Sequence, residues 1–204
     1  MTHWDITVYA ERMARWDAQA EERLRTAAVE LFLEFGYENV TVAQIADRAG
    51  LTRRTFSRYF TDKRDVLFAG SERLPGLLAE AVSRADPELT PFAALLTALD
   101  DVGKVLGGQV ASLAAERREV VARSSELQER GRTKFAAVAD ALAAELVRRG
   151  CELASAALLA DVGVAIFRTG FDRWVDHPDG DDLAACLREA GAELVDAVAT
   201  FSDG

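Results

Sequence analysis

The stretch LTRRTFSRYFTDK, residues 51–63, carries Arg53, Arg54, Arg58 and Lys63 in a chain of 204 residues whose formal net charge is -10. Guanidinium and ammonium groups at this density, beside the hydroxyls of Thr52 and Ser57, suit anion recognition. The targets are phosphate oxygens and the guanine edge, which an arginine fork meets with two hydrogen bonds. Other chemistries find little support. With His3 and His177 the only histidines, His-based catalysis has no material. No G-x-S-x-G, phosphate-loop or H-E-x-x-H pattern occurs. No catalytic residue is expected. His177 with Asp176, Asp179, Asp181 and Asp182 reads as a polar turn before a helix N-terminus, so neither a metal nor a cofactor is expected. Cys151 and Cys186 read as small buried apolar residues.

The positive charge is local. Residues 41–64 hold six Lys/Arg against Asp47 and Asp62, while residues 74–204 hold thirteen against twenty-two acids. Contact with a polyanion depends on the local balance, because charges farther than about 8–10 Å are screened by salt. Half of the residues are hydrophobic, enough for a real core. The N-terminus MTHWDITVYAERM lacks the basic and apolar regions of a secretory signal. No apolar run is expected to reach the roughly 20 residues of a spanning helix, since ASAALLADVGVAIF contains Asp161. A soluble cytoplasmic protein with no membrane partner is the expectation.

The elements that must position the arginines read as helices. Leu24, Ala27, Ala28, Leu31, Phe32 and Phe35 form the apolar stripe of an amphipathic helix that Gly36 ends. Thr41 opens a second helix with Gln44 at capping-box spacing, and Ile45, Ala46 and Ala49 form its inner face. Gly50 breaks it, Thr52 caps a third helix through Tyr59, and Asp62 caps a fourth starting at Lys63. Helix, short Gly-containing turn, helix is the helix-turn-helix pattern. At about 100° per residue, Arg53, Ser57, Arg54 and Arg58 share one face of the third helix; Thr55, Tyr59, Thr52 and Phe56 lie on the other.

Downstream, Pro75-Gly76 is expected to interrupt the fourth helix, ADPELTP (85–91) to form a loop, and Gly107-Gly108 to mark a bend. Ser124 or Ser125 starts a helix that ends near Gly150. Two very apolar helices follow, over about 153–175 and 181–201. Arg117, Arg118 and Arg123 read as a solvated helix face. Trp4, Val8, Tyr9, Met13 and Trp16 read as an extra N-terminal helix.

The segment ERLRTAAVELFLEFGYENVTVAQIADRAGLTRRTFSRYFTDKRDVL (22–67) resembles the DNA-binding region of TetR-type transcriptional regulators. It shares the F-G-Y turn, T-V-x-x-I-A-x-x-A-G-L, and an aromatic-F-x-x-K. The resemblance implies an all-α chain: an N-terminal extension (1–19), a helix-turn-helix domain (20–67), and a helical effector-binding and dimerisation domain (68–204). It places Thr41 and Thr52 at helix N-termini on phosphates, and Lys63 on a phosphate at the start of the fourth helix. Arg53, Arg54 and Arg58 take recognition-helix positions, and Ser57 and Tyr59 complete the DNA-contact set. Ser57 stands where many members have a tyrosine, and Thr61 where proline is frequent.

ERLPGLLAEAVSRADPELTPFAALL and ELQERGRTKFAAVADALAAELVRRG look like the mycofactocin-regulator branch, which implies an acyl-CoA-like effector. Arg168 and Arg173, among apolar neighbours, are the effector-binding candidates. Phe171, Trp174, Leu194 and Val198 are the expected homodimer seam. The expected function is a homodimeric repressor that binds a palindromic double-stranded DNA operator and is released by a small-molecule effector. The alternative is a helical ligand- or partner-binding module whose helix-turn-helix no longer reads DNA.

Overall fold

Two threonines and two glycines set the geometry of the N-terminal elements. The computed structural model describes residues 3–68, 70–110, 113–177, 180 and 182–202. Its first helix, α1 (His3–Phe35), takes in the expected N-terminal extension without a break and stops before Gly36, whose φ of 80° no L side chain adopts readily. After a 3-10 turn at Tyr37–Asn39 comes α2 (Val42–Arg48). Thr41 caps it through a reciprocal capping box: its hydroxyl accepts from the Gln44 N–H while the Gln44 side chain accepts from the Thr41 N–H. Gly50 (φ 63°) turns the chain, and Thr52 caps α3 (Arg53–Tyr59) by accepting from the Thr55 N–H. Leu24, Ala28, Phe32, Ile45, Ala46 and Phe56 close the core between these helices. Phe35, the last member of the expected stripe, is exposed instead.

The next element is shorter than its sequence suggests. Asp62 accepts from the backbone N–H groups of Arg64 and Asp65 and starts α4 (Asp65–Phe68), a single turn. The interruption falls at left-handed Gly70 and a 3-10 turn at Ser71–Arg73, not at Pro75-Gly76. Pro75 sits in the first turn of α5 (Leu74–Arg84), where its missing N–H costs nothing. Pro91 opens α6 (Pro91–Val110), which passes through Gly107 without the expected bend. There, α6 runs close to α10, and a Cβ on Gly103 would lie 2.8 Å from the Ala184 Cα. The remaining helices are α7 (Ala114–Ala122), α8 (Ser125–Arg148), α9 (Leu153–Asp176) and α10 (Leu183–Ser202). The chain is all-α, with no strand among the described residues. Of the expected turn DHPDGDD, Pro178, Asp179 and Asp181 lie outside the described residues. No group of three or more metal-ligating side chains occurs among those described.

The chain divides into two compact units. One comprises Met1–Ala69 with Glu116–Gln128, the other Gly70–Ala115 with Glu129–Gly204. The first break falls between Ala69 and Gly70, and residues 116–128 return to the first unit. Within the second unit, α6, α9 and α10 pack around Leu95, Leu99, Ile166, Phe167, Leu183 and Leu187. One expectation is corrected here: α9, 24 residues long, is apolar enough by length and composition to cross a membrane. Its alanines, leucines and valines keep the mean hydropathy high despite Asp161 and Arg168, and its buried face, including Ala160, Gly163 and Ile166, lines this core.

Gly170 lets α9 and α10 touch: a Cβ there would lie 2.9 Å from the Leu187 Cα and 3.0 Å from the Cys186 carbonyl oxygen. Gly131, within α8, has nothing within 4 Å of such a Cβ. Urea denaturation is therefore expected to show Gly170→Ala destabilised by about 1–3 kcal/mol. Gly131→Ala should be stabilised by about 0.5–1 kcal/mol through better helix propensity.

Candidate nucleic-acid interface

The interface is built on α3, and its chemistry is set by which cations other groups already occupy. Phe56 is buried under α3, 5.4 Å from the ring of Phe60, and fixes the helix's rotation. That leaves Arg53, Arg54, Ser57 and Arg58 exposed together on the opposite face. The hydroxyls of Thr41 and Thr52 sit at the N-termini of α2 and α3, also exposed. Thr52 Oγ1 is 2.9 Å from Thr55 Oγ1. Free N–H groups at such helix ends, beside a hydroxyl, suit a phosphate oxygen.

The six basic residues of 41–64 are not equivalent. Arg48 forms ion pairs with Glu30 (3.4 Å) and Glu34 (3.0 Å) on α1. Arg64 lies between Asp62 and Glu126, at 2.5 and 3.2 Å. Its hydrogen bonds hold the Asp62 carboxyl below the usual carboxylate range. Arg58 stacks on the half-buried Tyr59, its guanidinium carbon 4.7 Å from the ring centroid, and donates to the Tyr59 hydroxyl. Tyr59 thus orients an arginine of the face. Arg53 and Arg54 have no side-chain hydrogen bond or ion pair among the described residues.

Lys63 departs most from the role its position implies. Its Nζ donates to the carbonyl oxygens of Tyr37 (2.7 Å), Val40 (3.0 Å) and Glu38 (3.4 Å), and lies 4.2 Å over the Tyr37 ring. An ammonium has three N–H donors, and here each has a carbonyl. This internal contact ties the turn before α4 to the turn before α2.

A group that sequence reasoning read as solvent-facing also enters this unit. Arg117, on α7, donates to the Leu67 carbonyl at the end of α4, and its Nε is sealed from solvent with no partner. Burial and the nearby Arg25 guanidinium push its pKa down to about 10. Periodicity could not show this, because Arg117 lies 50 residues beyond its acceptor.

In the second unit, Arg168 is exposed, its guanidinium carbon 5.8 Å from the Phe135 ring centroid, and the half-buried Arg173 pairs with Glu193. The expected dimer residues divide. Trp174 is buried in the core, Phe171 and Leu194 pack against it, and Val198 is 57% exposed. The apolar character of the first three is thus used within the unit. Leu153, Leu158 and Val195 join Val198 as large exposed apolar side chains on α9 and α10.

Comparison with known proteins agrees with this geometry. The family model for bacterial regulatory proteins of the tetR family matches residues 24–69. The protein given as the mycofactocin biosynthesis transcriptional regulator MftR of Mycobacterium tuberculosis is 27% identical over 147 residues, which cover 69% of this chain and 71% of that one. SmeT, the repressor of the Stenotrophomonas maltophilia multidrug efflux pump SmeDEF, shares the fold with a TM-score of 0.54 at 23% identity, covering 87% of this chain and 89% of that one. Its triclosan complex gives a TM-score of 0.55 at 23% identity, covering 85% and 90%. Bacillus subtilis FadR in complex with stearoyl-CoA gives 0.54 at 21% identity, covering 85% and 97%. With the matched residues running from the core face of α1 through the arginine face of α3, the N-terminal unit of this chain carries the helix-turn-helix region described by the tetR family of bacterial regulatory proteins.

Proposed function

We propose that the chain acts as a homodimeric repressor, reading a palindromic operator with Arg53, Arg54 and Arg58 and leaving it when a small molecule binds the second unit. One observation carries the reading. On α3, Arg53 and Arg54 stay exposed without an internal partner among the described residues, while Arg48, Lys63 and Arg64 are occupied by carboxylates or carbonyls. Unpaired guanidiniums on one helix face meet base edges without first breaking an ion pair. Thr41 and Thr52 would hold phosphates on either side and set the register.

A homodimer follows from two-fold reading. Recognition helices spaced about 34–36 Å apart meet successive major grooves of B-DNA, and operator symmetry mirrors protein symmetry. Leu153, Leu158, Val195 and Val198 supply exposed apolar surface for the partner copy. For the effector, the complexes of SmeT with triclosan and of FadR with stearoyl-CoA motivate a largely apolar ligand. Lys134 and Arg168 flank Phe135 at 4.9 and 5.8 Å, and the aromatic row continues through Phe167, Phe171 and Trp174. This supports an acyl-CoA-like molecule, an anionic head on an apolar body. An effector that binds the released form about 100-fold better shifts the equilibrium by about 2.7 kcal/mol.

Selection of genomic fragments by the purified protein, followed by titration against scrambled duplex, tests DNA reading directly. Arg54→Ala is expected to lower operator affinity by about 1–3 kcal/mol and scrambled-duplex affinity far less. Equal losses on the two duplexes would reduce Arg54 to a backbone contact. For Lys63→Met the expectation is a stability loss of about 1–3 kcal/mol, from carbonyls left without their donor, and an unchanged salt dependence of binding. A slope shallower by about 0.9 would instead place a phosphate on Lys63. Leu158→Glu with Val198→Glu should shift light scattering from dimer to monomer; a persisting dimer would place the interface on other residues.

A further inference from the structure

Residues 116–128 lie more than forty positions beyond the helix-turn-helix, yet they belong to its unit, and the chain joins them to the second unit at both ends. Their attachments are specific. Arg117 reaches the Leu67 carbonyl, and the Ser124 hydroxyl, itself buried, lies 3.5 Å from a Glu38 carboxylate oxygen. Glu126 makes the most informative contacts: its Oε1 accepts from the Tyr37 hydroxyl at 3.3 Å and from Arg64 Nη1 at 3.2 Å.

Those two partners stand at opposite ends of the reading motif. Tyr37 belongs to the turn that leads into α2, and its carbonyl and ring hold Lys63. Arg64 belongs to the turn that leads out of α3, where its other contact, Asp62, caps α4. Entry and exit of the helix-turn-helix therefore meet on one carboxylate. Burial of the Tyr37 phenol and the nearby Glu126 raise its pKa far above the usual tyrosine value, so it remains a donor throughout the working pH range. We infer that Glu126 is a positioning residue for DNA reading: by holding Tyr37 and Arg64 together it fixes how α2 and α3 present their contacts, although it touches no base itself. This rests on the DNA-reading function proposed above.

The inference predicts a sign opposite to simple electrostatics. A carboxylate near a DNA-facing surface repels phosphate, so its removal should strengthen operator and scrambled-duplex binding together. A positioning carboxylate instead contributes only where geometry matters, and its removal should lower the ratio of the two affinities. A hydrogen-bonded charge that is 45% exposed in its side chain supports an effect of about three- to tenfold.

The test compares wild type, Glu126→Gln, Glu126→Ala, Tyr37→Phe and Glu126→Ala/Tyr37→Phe on a fragment-selected operator and a scrambled duplex, well below each variant's thermal midpoint. Expected is a three- to tenfold fall in the affinity ratio for Glu126→Gln, with scrambled-duplex affinity equal or higher. The double variant should lose no more than Glu126→Ala alone, because Glu126→Ala already removes the contact that Tyr37→Phe breaks. Glu126→Gln keeps an acceptor for Tyr37 and guards against simple misfolding, which a retained circular dichroism spectrum would check. Parallel gains on both duplexes, or additive losses in the double variant, would overturn the inference while leaving DNA reading intact. A wild type that prefers no duplex would overturn both.

Discussion

A single ammonium group supports the geometry of the reading unit. At Tyr37–Val40 the chain leaves α1 and reverses within a few residues, and three carbonyls point to one place. Buried or half-buried carbonyls without donors are costly, and Lys63 reaches them from the far side of the motif. Since Lys63 follows α3 and the carbonyls precede α2, this contact closes the helix-turn-helix into a loop whose ends cannot separate independently. The capping threonines then fix where each helix begins, and Phe56 fixes how α3 is rotated. The exposure of Arg53 and Arg54 follows from these internal constraints.

Closing the motif this way engages several of its cations internally. Lys63 becomes a brace, and Arg64 and Arg48 are held by acids on α8, α1 and the turn before α4. Among the described residues, Arg53 and Arg54 on α3 keep a face toward solvent without an opposing carboxylate, and Arg58 is aligned on Tyr59. A smaller set of oriented guanidiniums favours discrimination among sequences over general attraction to DNA, because bidentate contacts depend on base identity and diffuse charge does not.

Local features of the sequence were legible because they are governed by local physics. The stripe from Leu24 to Phe32 predicts the buried face of α1, and Thr41 with Gln44 predicts a capping box that forms as written. The 100° periodicity of 53–58 predicts the arginine face. What was missed depends on long-range partners. Counting charges over 41–64 treats Lys63, Arg64 and Arg48 as available, whereas their partners lie on α1, in the Tyr37 turn and at Glu126. Arg117 looks like any surface arginine until Leu67 is brought to it. Trp174 and Phe171 look like seam residues because apolar periodicity cannot distinguish a core within one unit from a contact between copies. Gly107 reads as a bend for a related reason: a glycine within a helix also permits the approach of a neighbour that sequence does not reveal.

The acidity of the whole chain can now be reconciled with a DNA partner. At about 0.15 M salt the screening length is about 8 Å, so carboxylates farther than that from the duplex hardly weaken contacts made at the arginine face. At about 0.01 M it extends to about 30 Å, and the same carboxylates oppose approach. Non-specific binding, which rests on counterion release by many phosphate contacts, has few cations to use here. Specific binding adds base contacts and helix N-termini whose contribution does not depend on the net charge of -10. An acidic regulator with a few well-held arginines therefore gives up affinity for random DNA more than affinity for its operator. In a genome where competing sites vastly outnumber the true one, the ratio of those affinities governs occupancy.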